Sequence, residues 1–322
     1  MKAGSVVALL SLAACVVLGV VMFAQVPGEE IWAAELTNFG HGPAFAVLTV
    51  LLFKLLRARS TQWPVLAEYA VVVVLALTLG ALVELLQGMI GRDESFEDFV
   101  RDAQGALAAA GFLVALDPRL HGSGALRGAR LAGLLLGMAG TVMLVWSPLV
   151  MGLAHLDRNR NFPRLVDFDN PTNLHFAQPL GGATIQWSRL PPLFTGQAGS
   201  AHALRVKTAD RAWWGLMLRE PLPDWRTYDR LAVTIANPTR QELIVELRVH
   251  DRAATEAAEA PFTAIVEIPP LTWRTSEIPL ASLRSSSNGA RVDLAHVQSL
   301  MLARKGPNRR ATEFYVVRLG LE

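Results

Sequence analysis

The feature that constrains this chain most is a series of long apolar segments, all of which end before residue 155. Segments 5–26 and 131–153 contain no charged residue, and each is long enough to cross a bilayer core, which takes about 20 residues of α-helix. The hydrophobic fraction of 52% and the mean hydropathy of +0.32 exceed what is usual for a soluble domain. This pattern excludes a single soluble enzyme core and a disordered chain, and it indicates a membrane unit followed by a globular unit.

Three further segments complete a predicted bundle of about five transmembrane helices: 39–56, 65–87 and 99–116. The purely apolar part of the last one, 103–116, covers only about 21 Å at 1.5 Å per residue. Full length therefore brings Arg101 and Asp102 to the membrane boundary, where charged side chains are expected to face the bundle interior or water. Ser95, three residues before Asp98, matches a helix-capping pattern and predicts that this helix begins near Ser95.

The distribution of basic residues predicts the orientation in the membrane. The connections 54–63 and 117–130 each carry several basic residues, whereas 27–38 carries only acidic ones. Under the positive-inside rule the N-terminus is cytoplasmic, and five spans place the C-terminal half outside the cytoplasm. Three arginines after the last span favour the opposite orientation: Arg158, Arg160 and Arg164. We expect a multi-pass protein of the bacterial inner membrane, with the lipid bilayer as its first partner.

The single cysteine lies in Leu12-Ala13-Ala14-Cys15, which resembles a lipoprotein cleavage site. Processing there would make Cys15 a lipidated N-terminus and remove the first span. Residues 16–23 stay apolar, however, so we expect Cys15 to lie inside an intact helix. One cysteine also excludes a disulfide framework and a multi-cysteine metal site, and a net charge of +2 is too small to indicate nucleic-acid binding.

A set of polar residues lies where the third and fourth spans meet. Glu84 and Gln87 are three residues apart and share one helix face, and Asp98 and Asp102, four apart, share another. Arg92, in the short connection between them, supplies a counter-charge. These residues predict a polar cluster at the outer end of the two helices.

Over roughly residues 35–117 the chain resembles the VanZ-like family of membrane proteins. The residues that carry the resemblance are Glu84, Gln87, Arg92, Asp98, Asp102 and Gly105, together with His41 near the start of the second span. The acidic or lysine residue that the family has just before this histidine is replaced by Asn38-Phe39-Gly40. The resemblance implies a role in the cell envelope, since the namesake confers resistance to a lipoglycopeptide antibiotic, and it implies no particular reaction.

Three interpretations of this polar cluster stay open. The charges form a buried network that fixes helix packing, or they line a pocket for a polar headgroup or glycan, or paired carboxylates act as general acid and base. No serine or cysteine nucleophile with a base partner is recognisable. The sequence predicts no cofactor, and no metal site beyond scattered acids and His41, so the interpretation leans against an enzyme.

From about Leu165 the apolar period changes to two, which is typical of β-strands. Strands are predicted at 183–187, 203–207, 213–219, 231–235, 243–249, 262–268, 273–280 and 314–321, and 294–302 is interpreted as a short helix leading into a strand. Eight or nine short strands predict an all-β sandwich or jelly roll. The predicted domains are a membrane unit at 1–154, a linker at 155–164 and a sandwich at 165–322.

The second half resembles the galactose-binding-like sandwiches found among carbohydrate-binding modules. The matching stretches are Val166–Phe168, Asp224–Leu231 and Trp273–Leu280. Trp225 and Trp273 are expected in the core. Trp213 and Trp214 are adjacent, so on a strand they face opposite ways. The predicted glycan-binding residues are Trp213, Trp214, Arg219 and Asp251, with His250 as a polar neighbour.

These observations predict a VanZ-like membrane protein whose extracytoplasmic sandwich recognises or organises an envelope polysaccharide. Two alternatives stay open. One is a membrane enzyme that acts on a lipid-linked glycan precursor through Glu84, Arg92, Asp98 and Asp102. The other is a membrane anchor for a protein-binding sandwich.

Overall fold

The computed structural model describes residues 3–24, 26, 30–59, 63–90, 95–121, 124–194, 199–208, 213–222, 224–252, 262–285, 289–305 and 312–322. The chain divides into two compact units, Met1–Leu149 and Val150–Glu322. The first is helical and the second is an antiparallel β-sandwich. The predicted fold class is therefore confirmed.

Within the described residues, five helices are long and apolar enough to cross a membrane. They are α1 (Ala3–Phe23), α2 (Ile31–Ala58), α3 (Val65–Met89), α4 (Phe96–Leu116) and α5 (Gly124–Asn161). The backbone N–H of Asp98 donates to Oγ of Ser95 at 3.2 Å, which confirms the predicted start of α4. Large apolar side chains also cover the outside of the helices, as for Val74, which is 61% exposed. An outward apolar surface is what a lipid environment requires.

The helix α5 extends further than the apolar pattern indicates. Residues 155–161 of the predicted linker are helical, and α5 continues across the division between the two units. The side chain of Asn161 donates to the carbonyl oxygen of Asp157 at 2.9 Å and to its Oδ1 at 3.0 Å, which ties the end of the helix to the preceding turn. Arg158 and Arg160 in that turn complement the helix dipole. A polar sequence can therefore continue a helix that began as an apolar one.

Glycines let the helices of the bundle approach each other closely. A Cβ atom at Gly105 of α4 would lie 1.9 Å from the carbonyl oxygen of Gly42 in α2. Farther along α4, a Cβ at Gly111 would lie 2.6 Å from the carbonyl oxygen of Gly133 in α5. Backbone contact through small residues is typical of helix packing in membranes. The helix α4 therefore packs directly against both α2 and α5.

The described part of the second unit contains twelve strands. They are β1 (Arg164–Asp167), β2 (Ala177–Leu180), β3 (Thr184–Arg189), β4 (His202–Lys207), β5 (Trp213–Arg219), β6 (Arg230–Asn237), β7 (Leu243–Asp251), β8 (Phe262–Ile268), β9 (Thr272–Pro279), β10 (Arg284–Ser285), β11 (Val297–Lys305) and β12 (Glu313–Leu321). Sheet A has the order β3-β4-β12-β6-β9, with β1 also paired to β12. Sheet B has the order β10-β8-β7-β11-β5-β2.

Alternation along the strands explains the core of the sandwich. On sheet B, Leu302 is in register with Leu247 of β7 and with Leu216 of β5, and all three side chains are buried. On sheet A, Val316 is in register with Ile235 of β6 and Leu204 of β4, again in a buried row. Apolar residues at every second position thus meet between the two sheets.

One predicted element is wrong. Residues 297–305 form β11, between β7 and β5 near the middle of sheet B, and the segment 294–296 before it is a turn rather than a helix. A short apolar run fits a helix and a buried strand equally well by periodicity. Pairing with two neighbouring strands decides the outcome here, and such pairing is a property of the tertiary structure.

Candidate functional site

Three helices of the bundle bring together His41 of α2, Glu84 of α3 and Asp102 of α4. We call these three residues the His–Glu–Asp cluster. The Nδ1 atom of His41 lies 3.2 Å from Oδ1 of Asp102 and 4.0 Å from Oε1 of Glu84. All three side chains are buried, and that of Asp102 is only 1% exposed. Half of the six residues predicted for the membrane cluster therefore meet at one point.

The close approach of α2 and α4 places these side chains. Gly42, whose carbonyl oxygen lies against Gly105, follows His41 directly, and Gly105 lies three residues after Asp102. On α3, a Cβ at Gly80 would lie 3.2 Å from Oδ2 of Asp102. The absence of side chains at these three glycines leaves the room that the imidazole and the carboxylates occupy.

The other predicted members of the membrane cluster lie outside this point of contact. Gln87 is buried and donates through Nε2 to the carbonyl oxygen of Val21 in α1, at 3.2 Å. Asp98 accepts a hydrogen bond from Nη1 of Arg101 at 2.9 Å. Arg92 lies outside the described residues. The predicted cluster thus separates into a buried centre, a contact with α1 and an ion pair in the first turns of α4.

The sequence interpretation missed one acid near this region. Glu35 of α2 lies with Oε2 at 3.8 Å from Nη2 of Arg101, so Arg101 contacts both Glu35 and Asp98. Side chains three or four residues apart share a helix face. Glu35 lies six residues before His41, so its position in the sequence did not place it near that histidine. The signal available in the sequence was only that Glu35 lies at the start of an otherwise apolar span.

The His–Glu–Asp cluster has the chemistry of a proton-transfer or cation-binding site. A ligand atom from each residue lies within 4.8 Å of those of the other two. The Oε2 atom of Glu84 accepts from the backbone N–H of Ser95 at 3.0 Å, which holds the carboxylate in place. Two buried carboxylates beside an imidazole are costly unless protons or a cation compensate their charge.

A second polar cluster, which the sequence interpretation also missed, lies at the other ends of α3 and α4. Nη2 of Arg119 lies 2.8 Å from Oε2 of Glu68 and 2.8 Å from Oδ2 of Asp117. The hydroxyl of Tyr69 donates to Oδ2 of Asp117 at 2.8 Å. Both acids of this cluster contact a cation directly, so the arrangement fits a structural role.

This second cluster predicts a stability change at acidic pH. Burial raises the pKa of Asp117, but hydrogen bonds from Arg119 and Tyr69 outweigh it and lower the pKa from 3.8 to about 2. Because the folded-state pKa is depressed, the stabilisation is present above about pH 4 and is lost as the pH falls towards 2. The Asp117 carboxylate thereby contributes about 2 kcal/mol to the free energy of unfolding above this window. We expect the Tm of the purified protein to fall across this window.

The control is to measure Tm over the same pH range for the variant Asp117→Asn. This variant should have a lower Tm than the native protein at pH 5, and the gap between the two should close towards pH 2. A gap that stays constant with pH would contradict the assignment of the stabilisation to this carboxylate.

In the sandwich, several predicted ligand residues point away from the core of sheet B. The strand register places six partly exposed side chains on this side: Trp213, Met217, Arg219, Glu246, Arg248 and His250. We call these six residues the outer face of sheet B. Arg219 and His250 flank Ser299 of β11, and Met217 and Arg248 flank Met301. Met301 and Ala303, on the same side of β11, are buried, so side chains of β5 and β7 form most of the exposed part of this face.

Two predicted ligand residues lie on the opposite side. Trp214 is only 2% exposed and its ring packs against Phe314, with 5.3 Å between ring centroids. Asp251 is also buried, and its Oδ2 accepts from the backbone N–H of Asp293 at 2.6 Å. Since neither side chain reaches the surface of sheet B, Trp213 is the one of the two adjacent tryptophans with a partly exposed ring.

The two tryptophans expected in the core are placed differently from each other. Trp225 is completely buried and donates from Nε1 to the carbonyl oxygen of Leu222 at 2.6 Å. Trp273 is only partly buried, and it packs against a buried cluster that includes Leu190 and Tyr315. Both therefore contribute apolar surface to the core of the sandwich.

The polar side chains of the outer face of sheet B contact one another. Nη2 of Arg248 donates to Oε2 of Glu246 at 2.8 Å. Burial lowers the pKa of His250, and the charge of Arg248 lowers it further, which favours the neutral form of the imidazole. Its Nδ1 lies 3.4 Å from Oγ of Ser299. These groups present both donors and acceptors to the surface.

The indole of Trp213 lies against the turn between β2 and β3. Gly181 in this turn has a φ of +63°, and a Cβ there would lie 2.5 Å from Cε3 of Trp213. Only glycine combines this backbone conformation with such a close contact. The turn thereby fixes the position of the ring at one end of the outer face of sheet B.

A groove of about 330 Å³ lies on sheet A, across β6, β9 and β12. It is lined by polar residues that include Arg164, Thr234, Thr275 and Arg318. The hydroxyls of Thr234 and Thr275 lie 2.9 Å apart and bond to each other. None of the described residues that line it is aromatic, which distinguishes it from the face that carries Trp213.

Neither a protein-family model nor a curated protein matches the chain in the comparisons. The resemblance of residues 35–117 to the VanZ-like family therefore stays a prediction. Among solved structures, the chain is similar to sandwich-containing carbohydrate-active proteins.

One is a family 11 carbohydrate-binding module from Clostridium thermocellum, solved in complex with a β-1,3-1,4-mixed-linked tetrasaccharide. It is 17% identical, with a TM-score of 0.38, over 49% of this chain and 93% of that chain. Another is an exo-β-agarase, 13% identical with a TM-score of 0.40, over 49% of this chain and 25% of that one. A third is a Clostridium thermocellum xylanase 10B fragment with CBM22-1 and GH10 modules, 10% identical with a TM-score of 0.34.

Proposed function

We propose that this protein is a membrane-anchored glycan-binding protein. Its five helices cross the bacterial inner membrane, and the outer face of sheet B binds an envelope polysaccharide outside the cytoplasm. The observation that carries the proposal is the placement of Trp213 on the same face as Arg219, Arg248 and His250.

The chemistry of this face suits a sugar polymer. The C–H face of a sugar ring stacks on an aromatic ring, and Trp213 offers a partly exposed indole held by Gly181. Sugar hydroxyls need both donors and acceptors, which the guanidinium of Arg248 and the carboxylate of Glu246 supply. Trp213 and Arg219 lie six residues apart on β5, or about 20 Å along the strand. That length accommodates several units of an extended chain.

Retention of the full-length protein on immobilised envelope polysaccharides tests this proposal. We expect Trp213→Ala to weaken retention about tenfold, since an aromatic contact contributes about 1.5 kcal/mol beyond its area. The matched control is Trp187→Ala, which removes a partly buried indole on sheet A that stacks on His202. Unchanged retention in Trp213→Ala, or equal losses in both variants, would argue against binding at this face.

The orientation needs its own experiment. The basic connections 54–63 and 117–130 support a cytoplasmic N-terminus and an extracytoplasmic sandwich. Alkaline phosphatase fused at the C-terminus should be active, and a fluorescent protein fused there should stay dark. The reverse pattern would place the sandwich in the cytoplasm and remove the envelope polysaccharide as its ligand.

A membrane enzyme that acts on a lipid-linked glycan precursor is the second candidate. Its support is the hydrogen bond between His41 and Asp102, because a carboxylate that orients an imidazole is a common arrangement for a general base. His41, Glu84 and Asp102 are also three of the residues that carry the resemblance to the VanZ-like family. Their meeting at one point supports the proposal that the helical unit is VanZ-like. Turnover of lipid-linked sugars that is abolished by Asp102→Asn would favour the enzyme.

The third candidate, an anchor for a protein-binding sandwich, predicts a different outcome. A stoichiometric protein partner would then co-purify with the native chain, and polysaccharide retention would be absent.

A further inference from the structure

We propose that His41, Glu84 and Asp102 bind a divalent transition-metal ion of the Zn²⁺ or Mn²⁺ class inside the helical bundle. This inference goes beyond the proposed glycan binding, because it concerns a different unit of the chain and different chemistry. No metal site is predicted from the sequence, since the three residues lie far apart along the chain and on separate helices.

The distances suit a metal site that closes slightly around its ion. Nitrogen and oxygen ligands lie about 2.0–2.2 Å from zinc, which corresponds to about 3.0–3.6 Å between neighbouring ligand atoms. His41 and Asp102 already lie at 3.2 Å, and His41 and Glu84 at 4.0 Å. One ligand atom of each residue lies within 4.8 Å of those of the other two, so an inward shift of the Glu84 carboxylate would be needed to close the site around an ion.

An unsatisfied carboxylate oxygen points to a ligand that completes the site. Oδ2 of Asp102 is buried and has no hydrogen-bond partner among the described residues. It faces the side of α3 that carries Gly80 and, one helical turn later, Glu84. Buried polar atoms in folded proteins nearly always have partners. A cation between Asp102 and Glu84 would satisfy this oxygen.

A cation would also compensate the charge of the cluster. Two carboxylates and one imidazole carry a net negative charge unless they bind protons, and buried negative charge is costly in an apolar bundle. Within the described part of this region, Arg101 is the nearby cation, and it contacts Asp98 and Glu35. One divalent ion would neutralise both carboxylates of the cluster.

The ligand types select the class of ion. An imidazole nitrogen with two carboxylate oxygens suits Zn²⁺ or Mn²⁺, whereas Mg²⁺ and Ca²⁺ prefer sets made of oxygen alone. Three protein ligands leave a further coordination position open to water or substrate, as in catalytic rather than purely structural zinc sites. The site could therefore serve the enzyme candidate above without being required for glycan binding.

The test is metal analysis of the full-length protein purified in detergent without chelators. We expect near-stoichiometric Zn²⁺ or Mn²⁺, a fall in Tm after treatment with a chelator, and recovery on adding Zn²⁺ or Mn²⁺ but not Mg²⁺. Glu84→Gln and Asp102→Asn should each lower the metal content more than tenfold. The matched control is Glu68→Gln, which removes a buried carboxylate on the same helix that pairs with Arg119; it should retain the metal.

Native protein that retains no metal, and whose Tm no added ion raises, would overturn the proposal. So would equal metal loss in Glu68→Gln and Glu84→Gln. If the variants fail to fold, chelation and reloading of the native protein still decide the question. Polysaccharide retention through Trp213 is measured separately, so failure of one proposal is distinguishable from failure of the other.

Discussion

Replacing Gly105 by alanine is expected to destabilise the helical bundle strongly, and replacing it by leucine is expected to prevent its assembly. The added Cβ would lie 1.9 Å from the carbonyl oxygen of Gly42 and 2.9 Å from its Cα. These are backbone atoms, so no side-chain rotation relieves the overlap and α2 must move away from α4. Overpacking costs about 1–3 kcal/mol, and more where the backbone itself must shift.

The measurements are the Tm and the fraction of monodisperse protein in detergent. Gly40→Ala is the matched control, because a Cβ at Gly40 of α2 meets nothing within 4 Å, and we expect it to behave like the native protein. Gly105→Ala should also disturb the His–Glu–Asp cluster, since Asp102 lies three residues before Gly105 on α4. Native-like Tm in Gly105→Ala would show that α2 and α4 do not pack through their glycines.

In the sandwich, replacing Asn237 by aspartate is expected to lower the free energy of unfolding strongly. Asn237 is completely buried, and its Nδ2 donates to three carbonyl oxygens at 2.8, 3.2 and 3.1 Å: those of Gln241, Ile268 and Pro269. Its Oδ1 accepts from the N–H and the hydroxyl of Thr239. Aspartate has the same shape but directs a charged oxygen at three carbonyls. An uncompensated buried charge costs about 3–5 kcal/mol.

Unfolding of the sandwich is followed by the fluorescence of its buried tryptophans, Trp214 and Trp225. Asn237→Asp should lower the unfolding midpoint, and part of the loss should be recovered as the pH falls, because protonation removes the charge and restores a donor. Gln178→Glu on the exposed strand β2 adds the same charge at the surface and should change stability little. Equal midpoints for native protein and Asn237→Asp would contradict the role assigned to this amide.

Local patterns predicted much of the architecture because each one reports a property of a single element. The apolar length of segment 131–153 was enough to predict a spanning helix, and Ser95 was enough to predict where α4 begins. Alternation in 243–249 predicted β7, since every second side chain of that strand faces the core. The same reasoning failed for 294–302, where periodicity is ambiguous and the partner strands decide.

The candidate sites depended on information that no local pattern contains. Adjacency of Trp213 and Trp214 predicted opposite faces, but only the position of the second sheet determines which ring is buried. Likewise, the spacing of Glu84 and Gln87 predicted a shared helix face, yet the two side chains contact different helices. Helix faces are several residues wide, so spacing alone does not select the partner.

The amino-acid sequence by itself determined that a bundle of apolar helices precedes a β-sandwich, because hydrophobic length and period are properties of the chain. Only the tertiary structure decided that His41, Glu84 and Asp102 meet. It also decided that Arg101 contacts Glu35 of another helix in addition to Asp98. The physical reason is that Gly42 and Gly105 let two helices touch through their backbones, and that contact sets distances between residues about sixty positions apart.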